Sequence, residues 1–387
     1  MKLTKLYLLA LACCLITQSC FKKEAAKVSE VKPRAVWSKE KANAWYSQQP
    51  FLIGPNFSPS TAINQLEMWQ TETFDTATIN RELGWAEQIG MNTARVYLHD
   101  LLWQQDSAGF LKRIDTFLNI AQRHNIKPML VIFDSVWDPH PKLGKQREPR
   151  PHVHNSGWVQ SPGYNGLQDS TQYPRLERYV KGVIARFADD PRVLAWDIWN
   201  EPYNLNHGSA YGKQELPNKL DYVLPLLRKS FVWARSVNPA QPVTAAVWAG
   251  NWSVEDSLTA IQKVMLAESD IITFHNYDGP QELEKRINWL KRYGKPMICT
   301  EYMARPNGST FQGALPVAKK HNVGMINWGF VAGKTQTIYP WDSWDKQYTR
   351  EPEVWFHDIF RPDGTPYSQE EVDFIKSIAT AKATSGQ

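Results

Sequence analysis

Two glutamates in this chain each stand at the end of a short apolar run. Glu201 lies in residues 193–202, Val-Leu-Ala-Trp-Asp-Ile-Trp-Asn-Glu-Pro, and Glu301 lies in residues 296–302, Pro-Met-Ile-Cys-Thr-Glu-Tyr. Both runs suit strands that are buried on both faces, where a carboxylate is costly unless it has a task. The reaction that needs two facing carboxylates is cleavage of a glycosidic bond, with one as acid and the other as nucleophile or base.

The two glutamates lie about a hundred residues apart, so only a closed or strongly curved sheet brings them face to face. Strand and helix signals alternate along the chain. The strand signals cover residues 51–57, 93–98, 128–133, 193–199, 242–248, 271–277, 296–301 and 324–330, and helical patterns between them cover 76–89, 110–124, 176–188, 220–237 and 281–293. Eight such units predict a closed α/β fold, a (β/α)8 TIM barrel whose strand ends open on one rim.

A simpler interpretation of each glutamate has to be weighed against catalysis. Asn-Glu-Pro is a common tripeptide, and a lone Glu at a strand end is more often a helix cap or a solvated charge. Here Trp-Asp-Ile-Trp precedes Glu201, and a second strand also ends in a carboxylate, Glu301. The pair in this context favours a catalytic role.

The two runs resemble the strands that carry catalysis in a known group of enzymes. Residues 196–202 and 299–302 are similar to the fourth and seventh barrel strands of clan A glycoside hydrolases, the group of family 5 cellulases and mannanases. This resemblance implies retaining hydrolysis, with Glu301 as nucleophile and Glu201 as acid and base. It also implies that Asn200 binds the sugar 2-hydroxyl, and that neither a metal nor an organic cofactor is needed.

Other predicted strands end in residues that the resemblance assigns to the site. Arg95 is a charge inside an apolar run and therefore needs a carboxylate partner. The resemblance implies that this partner is the nucleophile, whereas a structural salt bridge to another acid remains the alternative. Tyr277 would donate a hydrogen bond to the nucleophile, His275 would line the donor-sugar subsite, and Trp328 would form the floor of that subsite. A lone histidine is otherwise usually structural.

The third predicted strand departs from the family pattern and leads into a long loop. It ends in Asp134, where family 5 members more often show a histidine, and Trp137, three residues later, is a candidate substrate-binding residue. Asp134 is interpreted either as a ligand of a sugar hydroxyl or as the cap of a loop. The loop, residues 138–173, is long for a compact domain, and its segment ending in Trp158 could wall one end of the cleft. Such a wall favours action on chain ends or short oligosaccharides.

Composition narrows the class of ligand. The net charge is only +5 and the basic residues are dispersed, so nothing indicates a nucleic-acid partner. Aromatic residues make up 12% of the chain, including 17 tryptophans. Their faces stack on sugar rings, although most tryptophans are expected to pack between the barrel and its helices. Once an N-terminal signal is removed, Cys20 and Cys299 are the cysteines left, which argues against a Cys-x-x-Cys metal site.

The N-terminus resembles a bacterial lipoprotein signal. Residues 1–19 combine lysines with an apolar stretch too short to span a bilayer, and Cys20 would carry the lipid. An ordinary secretory signal is the alternative. Residues 20–45 lack periodicity and are interpreted as a tether. We therefore expect an exported, lipid-anchored monomer in the cell envelope, with one catalytic domain over residues 46–387.

The mechanism makes a geometric prediction. Retention requires carboxyl groups about 5–5.5 Å apart, whereas about 6.5 Å or more indicates inversion. Because side chains alternate along a strand, Asn200 and Glu201 both face substrate only if the strand bends there. Three alternatives remain open: a surface glycan-binding lipoprotein without activity, a transglycosylase, and an exo-acting β-glycosidase.

Overall fold

The computed structural model describes residues 32–380, so the predicted signal and Cys20 lie outside the described residues. Eight parallel strands alternate with helices. The strands are β1 Ile53–Pro55, β2 Thr93–Tyr97, β3 Lys127–Asp134, β4 Ala195–Asn200, β5 Val243–Thr244, β6 Ile272–His275, β7 Met297–Glu301 and β8 Gly324–Asn327. The helices are α1 Lys39–Tyr46, α2 Gln65–Trp69, α3 Thr76–Gln88, α4 Asp100–Arg123, α5 Tyr164–Gln168, α6 Tyr173–Arg186, α7 Lys219–Ser236, α8 Ala260–Glu268, α9 Pro280–Leu290, α10 Phe311–Lys320 and α11 Gln369–Thr380.

The strands close into a barrel. Hydrogen bonding runs in the order β1-β8-β7-β6 in one set and β2-β3-β4-β5 in the other. Parallel bridges join the two sets at both seams, between Asn56 and Arg95 and between Val247 and Phe274. The prediction of a single (β/α)8 domain is therefore confirmed.

The element bounds differ from the predicted ones where the sequence pattern is ambiguous. Strand β5 is only two residues long, because the chain leaves regular pairing after Thr244 and touches β6 again only at Val247. Helix α4 begins at Asp100, ten residues before its predicted start, and contains an irregular turn at Asp106. Among residues 32–380, no helix is long and apolar enough to cross a membrane.

The segment before β1 is part of the domain, which corrects the predicted boundary at residue 46. Helix α1 is capped by Ser38, whose hydroxyl accepts a hydrogen bond from the Lys41 amide. Ahead of it, the Arg34 guanidinium lies 2.6 Å from the buried carboxylate of Asp270, which also accepts the Trp37 amide at 2.8 Å. Residues 33–45 of the predicted tether thus belong to the same compact unit as the barrel, and that unit begins at Pro33.

The Asp270 carboxylate is expected to contribute strongly to stability. It is fully buried and accepts hydrogen bonds from Arg34, from the Trp37 amide and from the Val243 amide. Asp270→Ala leaves these donors unpaired, so we expect the free energy of unfolding in urea to fall by about 3–5 kcal/mol. The exposed Asp256→Ala is the matched control. A loss below about 1 kcal/mol would show that water replaces the carboxylate.

Candidate active site

The structure brings the two predicted glutamates together. Glu301 is the last residue of β7, and Glu201 directly follows β4. One carboxylate oxygen of each and one ring nitrogen of His275 all lie within 4.8 Å of one another. Carboxylate oxygens this close favour the short separation of retention over the roughly 6.5–9.5 Å that inversion needs.

The backbone at Glu201 bends as the sequence required. Its φ is +44°, a left-handed conformation that non-glycine residues adopt at a cost of about 1–3 kcal/mol. The bend interrupts the strict alternation of side chains, so Asn200 and Glu201 both line the same cavity. Strain of this kind is common where a side chain must be aimed at a reacting group.

Four side chains surround the Glu301 carboxylate. Its Oε1 accepts hydrogen bonds from Arg95 Nη1 at 2.8 Å and from Tyr97 Oη at 3.0 Å, and its Oε2 accepts from Tyr277 Oη at 2.8 Å. Burial by itself raises the pKa of Glu301, but attraction to His275 and Arg95 and the Tyr277 hydrogen bond outweigh it. The pKa of Glu301 is therefore lowered, which favours the ionised carboxylate.

The Tyr277 hydrogen bond should be visible in the pH profile. The reaction needs ionised Glu301, so the rate falls as the pH drops through the pKa of that carboxyl. Tyr277→Phe removes a group that lowers this pKa, so the acid limb of kcat/KM should move up by about 0.5–1 pH unit, with a loss of about 10-fold at the optimum. Tyr293→Phe changes a tyrosine between α9 and β7 that does not line the cavity, so it should change neither the acid limb nor the rate at the optimum. An unshifted acid limb would contradict the assignment.

Arg95 contacts both the predicted nucleophile and another acid, so both interpretations offered for it apply. Besides Glu301, its guanidinium contacts Asp197 at 2.8 Å and the side-chain oxygens of Asn56 at 2.9 Å and Asn200 at 2.7 Å. Arg95 is fully buried and is not among the residues that line the cavity, so the structure places it behind the catalytic groups, where it contacts them and not the substrate. It positions the candidate catalytic groups because one planar fork can contact several acceptors at once.

Asp134 and Trp158, both predicted to bind substrate, also lie behind the cavity wall. The fully buried Asp134 accepts hydrogen bonds from Trp158 Nε1 at 2.6 Å, Asn200 Nδ2 at 3.0 Å and the Val136 amide at 3.1 Å. Burial raises the pKa of Asp134 to about 7, although these hydrogen bonds oppose the rise. Asp134 thus caps its own loop and orients Asn200, and the interpretation as a direct sugar ligand is corrected.

A cavity of about 320 Å³ opens above the glutamates. The predicted site residues that line it are Trp137, Asn200, Glu201, His275, Tyr277, Glu301 and Trp328. Its other lining residues are Val136, His154, Asn155, Asn204, Trp248, Asp278, Arg286 and Trp341. A larger cavity of about 880 Å³ has neither glutamate in its lining, so it lacks the groups for the predicted chemistry.

Two neighbours of the glutamates were missed by sequence reasoning. Tyr97 stands two residues after Arg95 on β2, and that spacing along a strand could have indicated a shared face. Asn204 Nδ2 donates to Glu201 Oε2 at 2.6 Å, and its own carbonyl accepts from the buried Lys219 at 2.7 Å. Asn204 lies in an irregular loop, where no sequence period indicates a direction.

Among residues 32–380, one group of acidic and histidine side chains has the spacing of a metal site, and it consists of Glu201, His275 and Glu301. The Arg95 guanidinium lies 2.8 Å from Glu301 and already supplies a positive charge there. A cation at this point would be repelled by that charge. The arrangement therefore suits acid–base and nucleophilic chemistry better than metal binding.

The model of one protein family matches residues 54–347, which include every strand from β2 to β8 and both glutamates. That model describes Cellulase, glycosyl hydrolase family 5. The chain belongs to glycosyl hydrolase family 5. The resemblance predicted from the two strand ends is therefore confirmed at the level of the family.

This family 5 chain is similar to several mannan-degrading proteins. It is 21% identical over 252 residues to mannan endo-1,4-β-mannosidase A of Hypocrea jecorina, a match that covers 60% of the chain and 54% of the relative. The chain spans between 31% and 54% of the length of the first curated relatives that it matches.

Solved structures share the fold of this family 5 chain. The endo-β-1,4-mannanase of Thermotoga petrophila superposes with a TM-score of 0.55 and 14% identity, covering 89% of the chain and 79% of the neighbour. The exo-β-1,4-mannosidase of Opitutaceae bacterium strain TAV5 gives 0.56 and 14%, covering 85% and 59%. At this identity the likeness establishes the barrel fold alone.

Proposed function

We propose that this protein is a retaining glycoside hydrolase that cleaves β-linked mannosides. The observation that carries the proposal is the pair of carboxylates at the ends of β4 and β7, of which one oxygen each lies within 4.8 Å of the other. Only one of them, Glu301, is held by both a guanidinium and a tyrosine hydroxyl. This asymmetry supports Glu301 as nucleophile and Glu201 as acid and base.

The reaction runs in two displacements. Glu301 attacks the anomeric carbon while Glu201 gives its proton to the departing glycosidic oxygen, so the carbon–oxygen bond breaks and a glycosyl ester forms. Glu201, now ionised, takes a proton from a water molecule that attacks the same carbon, and the ester bond to Glu301 breaks. Asn200 supplies an amide for the sugar 2-hydroxyl, a contact that strengthens in the transition state.

The sugar is proposed from the relatives and from the aromatic lining of the cavity. Curated relatives carry the name mannan endo-1,4-β-mannosidase, and Trp137, Trp328 and Trp341 offer faces for a pyranose ring. The test is hydrolysis of aryl β-mannoside, β-glucoside and β-xyloside, with proton NMR of the first sugar released. We expect preference for mannoside and a β-anomer as first product. An α-anomer would contradict retention.

The alternatives separate in the same experiment. Transfer of the sugar to an added alcohol in preference to water indicates a transglycosylase. Binding of a mannan without cleavage of any glycoside replaces the enzyme proposal with a surface glycan-binding protein. The ordered hydrogen bonds to Glu301 support the enzyme, because a binding protein needs no ionised nucleophile.

We also propose that the protein is exported and anchored to the cell envelope as a monomer, through a lipid on Cys20. The support is the sequence of residues 1–20. Labelling with a palmitate analogue should mark the wild type and spare Cys20→Ser, while an ordinary secretory signal leaves both unlabelled. Light scattering of the delipidated protein measures its molar mass, which should be that of a single chain.

A further inference from the structure

Asn155 has an unusual environment within the cavity wall. It lies in the segment between β3 and α5, residues 135–163, here called the β3 loop, and its side chain is fully buried. Neither the oxygen nor the nitrogen of its amide has a hydrogen-bond partner among residues 32–380. A buried amide without a partner costs about 1–3 kcal/mol per group, so a ligand that supplies the missing hydrogen bonds would recover that free energy.

Hydrogen bonds between two loops hold Asn155 in its position. Its φ is +47°, and its backbone N–H donates to the Thr335 backbone carbonyl at 2.7 Å, while the side-chain amide stays unpaired. Thr335 belongs to the β8 loop, residues 328–368. Next to Asn155, the His154 amide donates to Ser343 Oγ at 2.9 Å, and His154 Nδ1 lies 2.8 Å from the Tyr339 carbonyl. These hydrogen bonds join the β3 and β8 loops at the cavity rim. The contact of His154 and Asn155 with Thr335, Tyr339 and Ser343 is here called the clasp.

The clasp lies on one side of the glutamates. Around the barrel rim, Trp248 and Asp278 follow β5 and β6, on one side between the two glutamates, and the β8 and β3 loops lie on the other side. A leaving group that lies over the β5 and β6 side and takes its proton from Glu201 leaves the attacked ring on the side of the β8 and β3 loops. Asn155 and Trp137 line the cavity there. A chain that continued past the attacked ring would meet the clasped loops.

We propose that the Asn155 amide binds hydroxyl groups of the non-reducing terminal sugar, and that the clasp makes the enzyme exo-acting. The inference rests on the proposed hydrolase function. An amide offers one acceptor and two donor hydrogens, and a sugar hydroxyl both donates and accepts, so the free end of a glycan satisfies both unpaired atoms. The cavity of about 320 Å³ is at the small end of the roughly 300–1,000 Å³ of ligand pockets, in keeping with a terminal unit.

The first test follows cleavage of mannopentaose labelled at its reducing end by the full chain. Stepwise loss of single mannose units from the unlabelled end is expected. Early release of labelled mannose or mannobiose would show internal cleavage and overturn this inference alone. No cleavage of any β-glycoside would overturn the proposed function, and this inference with it.

The second test asks whether Asn155 contacts a hydroxyl. Asn155→Ala should lower kcat/KM for aryl β-mannoside by about 10- to 100-fold. At least one of the 3-, 4- and 6-deoxy glycosides should lose activity with the wild type and lose little more with the variant. The exposed Asn165→Ala, in the neighbouring helix α5, is the control. Additive losses for all three deoxy substrates would mean that Asn155 shapes the loop only, and would overturn the assignment.

Discussion

Replacing Glu301 with alanine is expected to lower kcat/KM by about 10⁵-fold, the largest effect of any single substitution in this chain. The variant loses the atom that forms the glycosyl ester, and the donors on Arg95, Tyr97 and Tyr277 are left facing a gap. Thermal unfolding of the variant, measured in parallel, separates loss of chemistry from loss of fold.

Azide can test whether Glu301 is the nucleophile. Azide fits the space vacated by the Glu301 carboxylate and attacks the anomeric carbon directly, so an activated aryl β-mannoside should yield the α-mannosyl azide. The exposed Glu353→Ala should retain full activity and form no azide product. Formation of the β-azide from Glu301→Ala would instead assign this residue as the acid, and would reverse the roles of the two glutamates.

Replacing Glu201 with alanine is expected to give a loss that depends on the leaving group. Natural oligosaccharides need protonation of the departing oxygen, and their kcat/KM should fall by about 10³- to 10⁴-fold. A dinitrophenyl glycoside needs no proton, so its first step should be nearly unaffected. The second step still lacks its base, and the glycosyl ester on Glu301 should accumulate. A pre-steady-state burst of dinitrophenol followed by slow turnover is the expected measurement.

The same variant distinguishes acid catalysis from general damage to the site. Azide should restore its steady-state rate and give a β-glycosyl azide, because the anion attacks the ester from the side where water normally enters. Equal losses for dinitrophenyl and oligosaccharide substrates would contradict the role of Glu201. Asn204→Ala removes only the amide that donates to Glu201 at 2.6 Å. Its kcat/KM should also fall more for oligosaccharides than for the dinitrophenyl glycoside, but by a smaller factor.

The barrel was predictable because each of its strands leaves a recognisable pattern in a short stretch of sequence. A parallel strand covered on both faces needs a short run of apolar residues, and the turns between units interrupt those runs at regular intervals. The two glutamates were predictable for the same reason, since a carboxylate at the end of such a run is costly. The prediction failed for residues 33–45, whose mixed composition hides a capped helix and the Arg34 ion pair with Asp270.

The sequence by itself determined the fold class, the family and the residues that can carry the reaction, because strand period and strand-end chemistry are local properties. Only the tertiary structure decided which side chains meet. It placed Asp134, the last residue of β3, behind the cavity wall, and Asn155, in the loop that follows, among the residues that line the cavity. Such choices depend on contacts between loops far apart in the chain, such as that of Asn155 with Thr335. Their hydrogen bonds follow no sequence period, so they become known only when the chain is folded.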